Sequence, residues 1–279
     1  MAKKSPNIVA IQMTSSPKVE DNLLFVEQQL QSLPSVRPIL VVLPECFVCF
    51  GGGDRLIMDI AEDLHQGPIQ KKLSQLASEY DVWLVAGSMP ITCKITDKYT
   101  ASCLLIDNHG EFVEEYQKIH LFDVQVADNT VNYLESRYTQ AGNKLIVANT
   151  PFGNVGLAVC YDIRFAGMFQ AMSQIAQLDI LALPAAFTQQ TGSVHWHSLL
   201  IARAIENQCY VVAANQTGEH VNKRQTFGHS CIISPWGEKL IEIPQGCGTI
   251  SAPIDHQLLA EIRTKMPIHQ HNKFRSHLV

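Results

Sequence analysis

The seven residues ILVVLPE at 39–45 decide the fold class. Five consecutive apolar side chains leave this segment no polar face, so as a strand it is covered on both sides, and Pro44 stops it. Upstream, NIVAIQ (7–12) reads as another strand. Between the two, EDNLLFVEQQLQSL (20–33) sets Leu23, Val26, Leu30 and Leu33 on one helical face before Pro34 ends the helix. Downstream, PIQKKLSQLASEY (68–80) gathers Ile69, Leu73, Leu76, Ala77 and Tyr80 on a helical face, and VWLVAG (82–87) is the next strand. The order βαβαβ describes a sheet covered by helices.

Beyond residue 99 the rhythm changes. TASCLLID and FVEEYQK flank the turn DNHG, which predicts a hairpin, and LIVANTPFGNVGLAVC predicts a second one turning at PFGN. Helix and strand then alternate again through residues 167–177, DILALP (179–184), a helix over 195–208 and CYVVAAN. SCIIS and KLIEI surround the turn PWGE, and HQHNKFRSH at 269–277 reads as a loose tail. No linker or repeat divides the chain, so residues 1–279 are expected to form one domain, two sheets face to face with helices outside.

Bulk properties narrow the function. A net charge of −5, with no basic tract, argues against a nucleic-acid binder. No apolar run approaches the ~20 residues that span a bilayer, and no leader-like run precedes the first strand. Eight cysteines in such a chain imply free thiols in a reducing compartment, the cytoplasm. Cys46 and Cys49 form a C-x-x-C, but no second ligand pair accompanies them and three glycines follow at once. Two packed thiols are expected rather than a redox or zinc site. His195 and His197 stand two apart on the predicted helix, off a common face, so no metal site is expected there.

Three apolar strands end in groups whose chemistry fits one site. ILVVLPE ends in Glu45, FVEEYQK in Lys118 and VGLAVC in Cys160. A thiol has an ordinary pKa of about 8.5 and needs a base or a neighbouring cation to become a nucleophile. Taken singly, each has a plainer reading: Cys160 as a buried inert thiol, Glu45 as a helix N-terminal charge, Lys118 as a solvated strand end. Their shared position at strand ends, where ligand sites of α/β sheets lie, favours a site. Spacing also leaves open a Cys–His hydrolase using His120 or His229.

LPECF, YQKIHLFD and GLAVCYDIRF resemble, in that order, the three motif regions of the nitrilase superfamily of carbon–nitrogen hydrolases. VNYLESRYTQAG resembles the segment with the additional glutamate, which falls on Glu135; alone, Glu135 reads as a surface residue. PAAFTQQTGSVHWHSLLIARAIENQCYVVAANQTG and FGHSCIISPWGEKL extend the likeness, so it runs from residue 8 to about 271. KIHLFDV and RAIENQCYVVAA are most similar to the branch of the deaminated-glutathione amidases and ω-amidases. Gly167 and His197 depart from it, since acidic residues commonly stand at both places.

The resemblance implies an α/β fold, an α-β-β-α sandwich of the carbon-nitrogen hydrolase type. It implies hydrolysis of a linear carboxamide to carboxylate and ammonia through a cysteinyl thioester, without metal or cofactor. Cys160 is then the nucleophile, Glu45 the base and acid, and Lys118 with the Tyr161 backbone N–H the oxyanion donors. Glu135 steadies Lys118. Phe187 and Thr188, after another strand end, are expected to line the pocket. Arg164, or Lys223 and Arg224, is expected to receive a substrate carboxylate, unless Arg164 merely bridges to Asp162. Deaminated glutathione is the expected substrate, with α-ketoglutaramate next and a non-catalytic interaction module as the contrasting reading. A homodimer or higher homo-oligomer is implied, with a small amide and water as the only other partners, and neither nucleic acid nor membrane.

Overall fold

The computed structural model describes residues 6–125 and 133–278. The residues ahead of position 6, where no leader-like run is read, and the first two residues of VNYLESRYTQAG lie outside the described residues. The first half runs β1 (Asn7–Gln12), α1 (Val19–Gln31), β2 (Ile39–Val42), α2 (Asp54–Asp59), α3 (Pro68–Glu79), β3 (Trp83–Thr92), β4 (Tyr99–Ile106) and β5 (Phe112–Gln117). Two short strands follow, β6 (Asp123–Val124) and β7 (Tyr133–Leu134). The second half has β8 (Val147–Thr150), β9 (Gly153–Leu157), α4 (Ala166–Ile175), β10 (Ile180–Ala185), α5 (Gln189–Asn207) and β11 (Tyr210–Asn215). It continues with β12 (Thr217–Glu219), β13 (Gln225–Phe227), β14 (Ser230–Ile233), β15 (Lys239–Ile243), β16 (Gly248–Pro253), α6 (His256–Lys265) and α7 (Ile268–His271).

Two six-stranded sheets result, ordered β16-β1-β2-β3-β4-β5 and β15-β14-β11-β10-β9-β8. Each has three parallel strands at its centre, β1-β2-β3 in one and β9-β10-β11 in the other, with antiparallel strands outside. The continuous apolar runs of β1 and β2 have a direct use. Ile8, Ala10, Leu40 and Val42 face the core shared by the two sheets, while Val9, Ile11, Ile39 and Val41 pack under α1 and α3. A strand alternates its side chains, so one covered on both faces must be apolar throughout. The second sheet has α4 and α5 on its far side, which completes the α-β-β-α layering.

Both predicted hairpins form, β4–β5 and β8–β9. Helix α5 begins six residues earlier than its apolar spacing suggests, because Thr188 caps it with Oγ1 accepting the Thr191 N–H. The pattern also hid β16. Its sequence GTISAP has glycine and proline at the ends, yet it pairs antiparallel with β1 and buries Ile250 and Ala252. The C-terminal segment is not loose among the described residues: the His269 ring meets the Asn207 carbonyl, and Ser276 bonds Gln170 beside Gly167.

One glycine matters for the site. A Cβ at Gly87 on β3 would lie 2.0 Å from the Pro44 carbonyl oxygen. Only the bare backbone allows β3 to pass this close to the segment that presents Glu45.

Candidate active site

Glu45, Lys118, Glu135 and Cys160 converge on one cavity of about 350 Å³. Lys118 follows β5 directly and is fully buried. Its ammonium donates to Glu45 Oε1 at 2.7 Å and to both Glu135 oxygens at 3.0 and 2.9 Å. An isolated buried ammonium would lose its proton. Burial does pull Lys118 downward, but Glu135 and Glu45 outweigh it and hold its pKa well above the ordinary value. Glu135 opens a 3-10 turn, and its Oε2 also accepts the Phe122 N–H at 2.6 Å. Burial raises the Glu135 carboxyl against the pull of Lys118.

Glu45 is fixed at its other oxygen as well, since Oε2 accepts the Ala186 N–H at 2.9 Å just after β10. The Gln216 side chain holds the Glu45 carbonyl at 3.0 Å. One carboxylate thus spans the seam between the two sheets.

Cys160 heads the 3-10 turn Cys160–Arg164 that follows β9, and its backbone sits at φ +47°. A non-glycine residue in the left-handed region is uncommon and is held there only by its surroundings. Those surroundings are built on Asp162. Its fully buried carboxylate accepts the Val159 N–H at 2.9 Å, the Tyr116 hydroxyl at 2.7 Å, and the backbone and ring N–H of His120 at 3.1 and 2.7 Å. Asp162 therefore ties the turn that carries Cys160 to the end of β5 that carries Lys118. Burial, reinforced by the Glu45 charge and opposed by Lys118, holds the Cys160 thiol well above its usual pKa. At neutral pH the sulfur is a thiol, a form that becomes nucleophilic only when a base removes its proton.

The expected pocket residues are also assembled here. Tyr161, Arg164, Phe187 and Thr188 line the cavity. Arg164 does not bridge to Asp162; it contacts His195 Nδ1 at 3.2 Å and lies over the Phe187 ring at 5.2 Å. The Thr188 hydroxyl is engaged in capping α5, so it shapes the wall. Arg224 reaches the cavity, whereas Lys223 pairs with Glu219 at the surface. His120 is stacked on Phe165 with its Nδ1 committed to Asp162, and His229 is paired with Glu242; neither lines the cavity.

Sequence spacing did not identify Asp162 as an anchor or Cys46 as a cavity residue. Cys46 lines the wall next to Glu45, its thiol pushed by burial to about 12, while Cys49 faces Pro17. Both thiols are free. Tyr133 and Phe122, which pack edge to face at 5.1 Å, line the wall as well.

The carbon-nitrogen hydrolase family matches residues 8–264. A deaminated glutathione amidase of Yersinia enterocolitica is 41% identical over 277 residues, covering 99% of this chain and 96% of its own. The deaminated glutathione amidase of Homo sapiens is 36% identical over 277 residues, covering 96% and 82%. Among solved structures, the Caenorhabditis elegans NitFhit protein superposes with a TM-score of 0.89 at 34% identity, over 98% of this chain and 66% of that one. With a fold, an ordered set of site residues and a family match in agreement, the chain belongs to the carbon-nitrogen hydrolase family and is a hydrolase of carbon–nitrogen bonds other than peptide bonds.

Proposed function

We propose that this protein is a thiol-dependent amidase whose substrate is deaminated glutathione, acting in metabolite repair. The carrying observation is the Lys118 ammonium bonded at once to Glu45 and Glu135 beside a cysteine held in a left-handed turn. Glu45 takes the proton from Cys160, and the thiolate attacks the amide carbon. Negative charge gathering on the carbonyl oxygen is met by Lys118 and by the N–H of Tyr161, which lies in the first turn of the 3-10 segment where N–H groups lack helical partners. Glu45 then gives its proton to the departing nitrogen and activates water against the thioester, serving as base, acid and base. Glu135 holds Lys118 in place. None of these steps needs a cofactor.

Deaminated glutathione has no primary amide, since each of its amide nitrogens carries the next residue. The group released from it is an amine, where a simple carboxamide such as α-ketoglutaramate releases ammonia. Two features support an anionic substrate. Arg164 and Arg224 both line the cavity, and the N-terminus of α5, with its partial positive charge, opens at Thr188 in the wall. The names of the relatives support the choice of amide. We further propose a cytoplasmic homo-oligomer, consistent with eight free thiols and with apolar side chains exposed along α5; no helix among the described residues is long and apolar enough to cross a membrane.

The test measures the oxo acid and the amine released from deaminated glutathione, and the ammonia from α-ketoglutaramate, for the wild type, Cys160→Ala and Glu45→Gln. Faster turnover of deaminated glutathione, lowered at least about 10³-fold by either substitution, is expected. A preference for α-ketoglutaramate overturns the substrate and keeps the chemistry. Alanine at 160 with undiminished turnover overturns the nucleophile, and a wild type inactive on both amides favours the interaction module.

A further inference from the structure

Outside the catalytic cavity, three side chains from separate parts of the second half aim at one point. His197 from α5 places Nε2 2.9 Å from Glu242 Oε1 on β15. His229, just before β14, places Nδ1 2.5 Å from the same oxygen. The three potential donor atoms lie within 4.8 Å of one another. The second carboxylate oxygen is taken by Lys239. The cluster is half-buried, with side-chain exposures of 33%, 24% and 12% for His197, His229 and Glu242.

We propose that His197, His229 and Glu242 form a binding site for a divalent transition-metal cation of the zinc type. Two imidazole nitrogens and one carboxylate oxygen make a donor set suited to zinc and disfavoured by calcium or magnesium, which want oxygen. At zinc bond lengths of about 2.0–2.2 Å, tetrahedral donors stand about 3.3 Å apart. The present nitrogen–oxygen separations of 2.9 and 2.5 Å are shorter than that, so the carboxylate draws back from the two rings to admit the ion. Each ring that now points an N–H at Glu242 frees its facing nitrogen by carrying the proton on the other one, so neutral imidazoles bind without net proton release. The accessible side leaves room for water as a fourth ligand.

The protein has pre-set the donors. The His229 carbonyl accepts the Trp196 indole N–H at 2.8 Å, its N–H donates to the Pro244 carbonyl at 2.9 Å, and its ring stacks on Phe227 at 4.1 Å. Trp196 is the residue before His197, so the same contact fixes both histidines. The nearby Lys239 ammonium opposes a cation, and only three protein ligands are present among the described residues; both point to reversible binding rather than a permanent structural ion. An occupied site would clamp α5 to the β14–β15 hairpin. Phe227 also donates its N–H to the Phe187 carbonyl, which connects the clamp to the wall of the catalytic cavity.

The test adds zinc to metal-free protein and follows bound metal per chain and the thermal midpoint, for the wild type and His197→Asn. His197 is one-third exposed and its substitution leaves the core intact, which circular dichroism of the metal-free variant checks. Glu242→Gln serves as a second variant. Cobalt spectra of the same proteins separate this site from the eight thiols, because thiolate ligation adds an intense near-ultraviolet charge-transfer band. One equivalent of metal, a raised midpoint in wild type alone, and a cobalt spectrum free of thiolate bands are expected, with affinity at least tenfold weaker in both variants. Equal zinc uptake by wild type and variants, thiolate bands in the cobalt form, or no uptake at micromolar zinc overturns the site.

Discussion

The Arg224 guanidinium lies over the rings of Phe50 and Tyr133, 5.0 and 4.7 Å from their centroids, and among the described residues its buried Nε has no hydrogen-bond partner. Among the described residues its polar contact is a long 3.4 Å approach to the Ala186 carbonyl. A charged donor kept in a cavity wall at this cost is suited to receive an anion, and an arginine does so through two parallel N–H bonds. A charge-assisted bond contributes about 1.5–3 kcal/mol. Arg224→Gln is therefore expected to lower kcat/KM on a carboxylate-bearing amide by about 10- to 100-fold and to leave a neutral amide of similar length nearly unchanged. Equal losses on both amides in a steady-state comparison would remove Arg224 from carboxylate recognition. Sequence placed Arg224 only as one of several candidates, since nothing in NKR distinguishes a surface cation from one folded back onto a cavity.

At the scale of elements, the 3-10 turn after β9 depends on a carboxylate with no solvent contact. Asp162→Ala would leave the Val159 and His120 N–H groups and the Tyr116 hydroxyl without their acceptor. At about 1–3 kcal/mol for each orphaned buried group, a loss of about 3 kcal/mol or more is expected in urea unfolding. Activity should fall further than stability explains, because the turn also sets the Cys160 backbone. A second element-level prediction concerns the hairpin β12–β13. Inside the protein its His220 donates Nδ1–H to the Ser15 carbonyl and accepts the Thr226 hydroxyl at Nε2, and burial brings its pKa down from 6.5 to about 4. Between those pH values the unfolded chain binds a proton that the folded chain refuses. The contribution is therefore full above pH 6.5 and is lost as pH falls toward 4, by at most about 3 kcal/mol. Denaturation midpoints measured across this interval should drop more steeply for wild type than for His220→Gln; parallel slopes would remove His220 as the source.

At the scale of the molecule, Val194 and Ile205 on α5 and Trp236 in the β14–β15 turn are 69%, 45% and 56% exposed. Gly237 packs directly against Ile205, which joins the last two into one apolar patch. Trp236→Glu should shift the mass measured by light scattering toward that of a monomer, with the fold unchanged; an unaltered mass would place any oligomer contact elsewhere. The continuous apolar runs of β1 and β2 determined a doubly covered sheet, the helical faces of 20–33 and 68–80 determined its cover, and the ordered Glu45, Lys118, Glu135 and Cys160 segments determined the chemistry worth looking for. The strands and helical faces are local properties, carried by residue type and short-range spacing, whereas the chemistry, with Glu135 in it, was legible only through the resemblance to the nitrilase superfamily. Only the tertiary structure decided that Lys118 bonds two carboxylates at once, that Asp162 anchors the cysteine turn, that Arg224 enters the cavity while Lys223 does not, and that His197 meets His229 and Glu242. Each of those contacts joins strands or helices distant in the chain, and their distances follow from the packing of one sheet on the other, which no local pattern encodes.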